Sequence, residues 1–320
     1  MTVVMHCLGP SKRCCADVIM CAGSEMQQPW VITDIQRRKN VAQIMKRVLT
    51  QHGVVLSDFQ NDIHVRDICV TEHTSQNAGL SQAIFDHMFP CETSPTTLYH
   101  YTSLSGLSGI ASSAELRLFP LRKRIDEGGE LSAFAKAHGL TGYLNSDEGE
   151  PYYKVLSDDL FYVSMTRIPP KDPTLMWGAF SSGTGVRLEF EVTAKMAQLR
   201  PVYYEQKGAA TLLKEMNAAL IESGEPPFVP FTISHIGAFY LSSLVSSEDE
   251  VRLMVKRYKC GEDLTQNNGT YDYWPIPICS ANDYCDLRLK GIHVAPNGNL
   301  SSVEHAIAET KFASIVPTGP

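Results

Sequence analysis

Apolar residues recur along this chain with two periods. In "TDIQRRKNVAQIMKRVLTQHG", residues 33–53, Ile35, Val41, Ile44, Met45, Val48 and Leu49 fall on one face of an α-helix. Thr33 or Asp34 can cap its start, and Gly53 can end it. The run "DIHVRDICV" predicts a short strand, and "GLSQAIFDHMF" predicts a second small helix. "PCETSPTT", with two prolines, reads as a linker. The pattern therefore predicts a small mixed N-terminal region over 1–95 and a larger domain over 96–320.

The texture changes after residue 98. Strand-like runs occur at "LYHYT", "DLFYVSMTR", "GVRLEFEV", "RPVYYE" and "EVRLMVKRY". Helical runs occur over 103–114, 208–223 and 232–245, and the tail "ETKFASIVPTGP" predicts one more short strand. Strands this far apart in sequence, with helices and long loops between them, predict an α+β domain. Its core is a split, mostly antiparallel β structure with flanking helices. No internal repeat is visible.

Composition adds little to this picture. At 43% hydrophobic and 20% charged residues, the chain suits a globular protein whose core needs no disulfides. A net charge of -7 gives no global footprint for nucleic acid. Arg117, Arg122, Lys123 and Arg124 form a local basic run, either a solvated face or one wall of a groove. Nine cysteines without a C-x-x-C pair suit free thiols in a reducing compartment. Cys7, Cys14, Cys15 and Cys21 beside His6 leave open a zinc site, although no metal is expected from their spacing. No apolar stretch is long enough to span a bilayer, and the first residues do not resemble a signal peptide. The expectation is a cytoplasmic protein without a membrane partner.

Three polar constellations stand on or beside apolar strands: His100, Tyr101 and Thr102; Ser164, Thr166 and Arg167; and Glu248, Asp249 and Glu250. Each has a plain structural reading. Strand histidines satisfy their own surroundings, strand-end hydroxyls make turns, and acidic runs face solvent. Taken in order, they also supply the parts for cleaving the N-glycosidic bond of NAD+. The ribose develops positive charge, which a fixed carboxylate stabilises. The pyrophosphate wants a cation or hydroxyls. The nicotinamide wants an aromatic wall, which Tyr101, Tyr162 or Trp177 can give. Arg252 shares strand parity with Glu250 and could pair with it.

The order His, Ser-x-Thr, Glu-x-Glu resembles the ADP-ribosyltransferase superfamily. "LYHYTSLSGLSGIASSAELRL" and "LFYVSMTRIPPKDPTLMW" are similar to the opening motifs of DarT-type toxin transferases. "LMWGAFSSGTGVRLEFEV" with "EDEVRL" resembles a bacterial family of uncharacterised domains, and CmdT-type phage-defence toxins lie in the same neighbourhood. The likeness spans about residues 97–260, whereas 119–158 differ in character from the family's loop. It implies an ADP-ribosyltransferase-like catalytic domain with NAD+ as substrate. It also implies a nucleic-acid acceptor, RNA or single-stranded DNA, and a toxin or antiviral role with an antitoxin or chaperone partner. Tyr152 and Tyr153 fit such a strand. A protein-directed transferase, an NAD+ glycohydrolase and a non-catalytic nucleotide sensor remain open. By the resemblance, Glu250 stabilises the developing charge and Glu248 acts as general base, while Arg167 binds phosphate or polarises the acceptor. His100, Tyr101, Thr102, Tyr162, Ser164, Thr166 and Trp177 hold the dinucleotide.

Overall fold

A computed structural model describes residues 35–73, 79–124, 130–147, 149–167, 173–205, 211–231, 233–241, 243–258 and 263–319. The cysteine-rich stretch with His6, and the caps Thr33 and Asp34, lie outside the described residues. In chain order the elements are α1 (Ile35–Gln51), β1 (Ile63–Val65), β2 (Val70–Glu72), α2 (Gly79–Met88), β3 (Thr96–Thr102), α3 (Leu104–Ser113) and β4 (Glu115–Pro120). Then come α4 (Glu130–Ala137), β5 (Ser146–Asp147), β6 (Glu150–Pro151), α5 (Tyr152–Ser157), β7 (Leu160–Thr166), α6 (Pro173–Ser181) and β8 (Val186–Ala194). The remainder are β9 (Gln198–Pro201), β10 (Tyr203–Tyr204), α7 (Leu212–Glu222), β11 (Phe228–Val229), α8 (Ile233–Ala238), β12 (Tyr240–Leu241), β13 (Glu250–Lys256), β14 (Gln266–Asn267), β15 (Asp272–Pro277), β16 (Cys285–Val294) and α9 (Leu300–Ile307).

The chain is mixed α/β around one curled antiparallel sheet. β7 organises that sheet. One of its edges pairs with β13 along its whole length, Leu160 opposite Lys256 through to Thr166 opposite Glu250. Its other edge is shared. β4 takes the start, through Phe119–Tyr162 and Pro120–Phe161, and β3 takes the end, through Tyr99–Thr166. β8 and β16 continue beyond β3, β15 and β14 beyond β4, and β9 beyond β13. Two neighbours sharing one edge leave Val163, Ser164 and Met165 without a partner strand there.

Strand alternation sends the two faces into different cores. Phe161, Val163 and Met165 point one way, with Leu98, Leu116, Leu118, Leu188 and Leu253, and meet α3 and α9. Leu160, Tyr162 and Met254 point the other way, into a core shared with α1, α2, α4 and α7. α3 is small-residue-rich because it rides close on the end of β3. A Cβ at Gly106 would stand 2.1 Å from Thr102 Oγ1. Ser103 caps the helix by accepting from the Gly106 amide at 3.1 Å.

Several expectations need correction. Residues 35–89 do not form a core of their own: β11 adds to the β1–β2 hairpin, and α1 packs with α7. Buried Arg200 of β9 also donates to the Phe89 carbonyl and pairs with Asp86 at 2.8 Å. The proline-rich stretch therefore connects two parts of one packed body, and the division at residue 95 is not a packing boundary. "DIHVRDICV" is a hairpin of two short strands, because Arg66 and Asp67 turn the chain. Ile35 is 64% exposed, unlike the other apolar positions on its helix. The helix expected over 232–245 ends at Ala238 and gives way to β12. The tail contributes a single bridge, Thr318 to His293. Among the described residues, no helix is long and apolar enough to cross a membrane.

Candidate functional site

The gap on β7 opens a cleft of about 220 Å³. β3 contributes Tyr99–Thr102, β4 contributes Arg117, Phe119 and Pro120, β7 contributes Tyr162–Thr166, and α6 contributes Met176 and Phe180. Register explains why the polar groups gather. Phe119 opposes Tyr162, Tyr99 opposes Thr166, and Tyr101 opposes Arg187. Directly opposed residues share a face, so Arg117, Phe119, Tyr162, Ser164, Thr166, Tyr99, Tyr101 and Arg187 all stand on the same one.

His100 alternates to the opposite face but sits where β3 leaves β7. Its Nδ1 lies 2.9 Å from the Ser164 carbonyl oxygen. A carbonyl only accepts, so Nδ1 carries the proton, and in the neutral ring Nε2 is an acceptor. Tyr101 is 5% exposed, and its hydroxyl makes no well-formed hydrogen bond among the described residues. Burial raises its pKa, with the neighbouring Arg187 guanidinium opposing. Trp177 of α6 meets the Tyr101 ring edge-on at 4.8 Å, behind the cleft wall.

Glu250 lies one strand away, opposite Thr166 and on the same face of the sheet, but it does not line the cleft. It is 4% exposed. Arg252 holds both its oxygens, Nε donating to Oε1 at 2.8 Å and Nη2 to Oε2 at 3.0 Å. The same guanidinium donates to Glu130 at 3.2 Å and to the Ala238 carbonyl. It also stacks 4.6 Å from the centre of the Tyr162 ring, whose residue lines the cleft. Burial pulls the Arg252 pKa down. Glu250, then Tyr162 and Glu130, more than reverse this, so its pKa is raised and the cation persists. The Glu250 amide donates to Tyr204 Oη at 2.9 Å. Burial is the main force raising the Tyr204 pKa, and the charges of Glu250 and Glu248 add to it. Asp249, at φ +46°, makes the left-handed turn that starts β13.

Of the residues predicted from sequence, the structure brings His100, Tyr101, Thr102, Tyr162, Ser164 and Thr166 into one cleft. Trp177 is adjacent to it through Tyr101. Arg167 instead pairs with Glu92, and Glu248 ends a 3-10 turn near Tyr204. Arg167, Glu248 and Glu250 do not line the cleft. Arg122 of the basic run pairs with Asp158 at 2.7 Å and Glu150 at 2.6 Å, and Tyr153 is packed into the core. Neither is therefore displayed for a nucleic-acid strand. Sequence reasoning missed Phe119 as a site residue, and it named Arg117 only as part of a basic run that could wall a groove. The alternation in "ELRLFP", with Leu116 and Leu118 inward, carries the signal for both.

No protein-family model, curated protein or solved structure matches the chain. Among the described residues, no three His, Cys, Asp or Glu side chains converge as metal ligands.

Proposed function

We propose that the chain binds NAD+ in the cleft between β3, β4 and β7 and transfers its ADP-ribose to an acceptor. The observation that supports this reading is the strand order. The His100 strand lies beside the Ser164–Thr166 strand, which lies beside the Glu250 strand, so three motifs far apart in sequence become neighbours. The residues fit such a ligand: aromatic walls from Tyr99, Phe119 and Tyr162, and a buried hydroxyl on Tyr101 that makes no well-formed hydrogen bond among the described residues. His100 and the hydroxyls of Thr102, Ser164 and Thr166 hold ribose or carboxamide groups. In the transfer, the bond between ribose C1′ and the nicotinamide nitrogen breaks, and its electron pair leaves with nicotinamide. The acceptor forms the new bond to C1′ and gives up its proton to a base. Glu250, fixed at the head of β13 opposite Thr166, supplies a negative charge one strand from the cleft.

One observation favours a second reading, a nucleotide-binding module without turnover. Both oxygens of Glu250 are already engaged by Arg252. The test is nicotinamide release from NAD+ by the purified protein, alone and with RNA, single-stranded DNA or a protein extract. Release that depends on one acceptor class identifies a transferase and its target, with nucleic acid expected from the family resemblance. Release without any acceptor identifies a glycohydrolase. NAD+ binding with no release under any condition overturns catalysis and leaves the sensor.

A further inference from the structure

The cleft of this acidic protein contains no carboxylate. Its lining has Arg117 and His100 but neither Asp nor Glu, although the chain carries a net charge of -7. Most arginines near it are neutralised: Arg122, Arg167, Arg200, Arg252 and Arg257 each have a carboxylate partner. Two are not. Arg117 lies 4.6 Å over the Tyr273 ring, and Arg187 lies 4.9 Å over the Tyr99 ring. Neither has a carboxylate within ion-pair distance among the described residues. Stacking on an aromatic face fixes a guanidinium's plane while leaving its N–H edge available. The nearest acid on the same strand and face as Arg187 is Glu189, which is engaged by His293 at 3.2 Å.

A second observation points to a ligand at the same place. Arg187 stands opposite Tyr101 in the β3–β8 register. The Nε of Arg187 and the hydroxyl of Tyr101 are both buried from solvent, and neither makes a well-formed hydrogen bond among the described residues, although the Arg187 guanidinium neighbours that hydroxyl. The hydroxyl can accept from the guanidinium, but its own proton and the Arg187 Nε proton are left poorly satisfied, which an added acceptor would relieve.

We propose that Arg117 in the cleft lining, with the Tyr101 hydroxyl and with Arg187 just behind Tyr99 and Tyr101, forms an anion subsite at this end of the cleft, and that it receives the phosphates of a nucleoside diphosphate moiety. This rests on the NAD+ reading for the identity of the ligand, and it moves phosphate recognition from Arg167 to residues on β4 and β8. Guanidinium groups suit phosphate because their paired N–H groups match its oxygens. The neighbouring aromatic rings suit the ribose and base that flank it.

The test is calorimetric titration of the full chain with ADP-ribose, ADP, adenosine and nicotinamide. Wild type, Arg117→Gln, Arg187→Gln, Arg187→Lys and the remote, 67%-exposed Arg288→Gln are compared. The expected result is binding of ADP-ribose and ADP that weakens with salt. Each cleft glutamine variant should lose about 10-fold or more, the size of one charged hydrogen bond. Arg187→Lys should recover part of that loss, Arg288→Gln should match wild type, and nicotinamide binding should be unchanged throughout. Wild type that binds neither phosphate ligand, or cleft variants that bind both as wild type does, overturns the subsite. The two proposals fail separately. Phosphate binding lost in the variants without nicotinamide release in wild type keeps the subsite and removes the transferase. Nicotinamide release with an unchanged KM for NAD+ in the variants does the reverse.

Discussion

Removing the Arg252 guanidinium strands two acids. Arg252 is 2% exposed and Glu250 4%, while the Glu130 side chain is 10% exposed. In Arg252→Met the apolar stem is replaced by a chain of similar length, but the buried Glu250 carboxylate loses the guanidinium that holds both its oxygens. Breaking a buried pair this way costs about 3–5 kcal/mol. Glu250→Met leaves the opposite charge, partly answered by Glu130, and should cost about 2–4 kcal/mol. Arg252→Met with Glu250→Met removes both charges and should cost less than the Arg252 change alone. The net worth of a buried pair against apolar replacements is about zero. The assay is urea denaturation at neutral pH with the three variants, from which the coupling energy follows. A coupling of about 3 kcal/mol is expected, and the Arg252 variant should melt roughly 6–10 °C lower at about 2 °C per kcal/mol. Single variants costing under about 1 kcal/mol, or a double variant costing the sum of the singles, would refute the claim that this pair is closed to solvent.

Other consequences follow from particular contacts. His138 donates through Nδ1 to the Phe134 carbonyl at 2.9 Å and accepts through Nε2 from Thr211 at 2.7 Å, so the neutral ring is fully satisfied. Burial lowers its pKa from 6.5 to about 4, so the unfolded chain takes up the proton first. Stability should therefore fall as pH drops from 6.5 toward 4, by on the order of 3 kcal/mol from this group, and His138→Gln should flatten that slope in urea midpoints. Gly185→Ala should sharply lower the melting temperature, because the new Cβ would stand 2.1 Å from the Thr102 carbonyl oxygen and force β8 from β3. Tyr101→Phe should leave thermal stability nearly unchanged, since the hydroxyl makes no well-formed hydrogen bond among the described residues, while weakening NAD+ binding about fivefold by titration.

The strands that build the cleft were legible because their apolar runs are long. "LFYVSMT" and "EVRLMVK" supply one face each to two cores, and their edges are read correctly to within a residue or two. The grouping of His100 with Ser164 and Thr166 was not legible from spacing; it follows from β3 lying beside β7 in the sheet. Nor was pairing legible. Nothing local says that Arg252 would close on Glu250 rather than leave it open, since parity makes them neighbours without saying which partner wins. β4, β15 and β16 escaped notice because "ELRLFP" follows a helix without a turn residue, and "DYWPIP" carries two prolines that usually argue against a strand. β15 tolerates them where it meets β4 near the sheet's end. The apparent linker before residue 96 misled for a related reason. Proline marks a break in local structure, whereas the contacts joining α1 and α2 to α7 and β9 come from more than a hundred residues later.

The location of the proposed NAD+ site is tested most directly by backbone hydrogen exchange of the full chain with and without NAD+. Val163–Met165 lack a partner strand on the cleft edge and lie between Tyr99–Thr102 and Arg117–Pro120. NAD+ should slow exchange in these three segments together, and His100→Ala should abolish the effect at matched NAD+ concentration. Protection confined to other segments, or none at saturating NAD+, would contradict the assignment of this cleft.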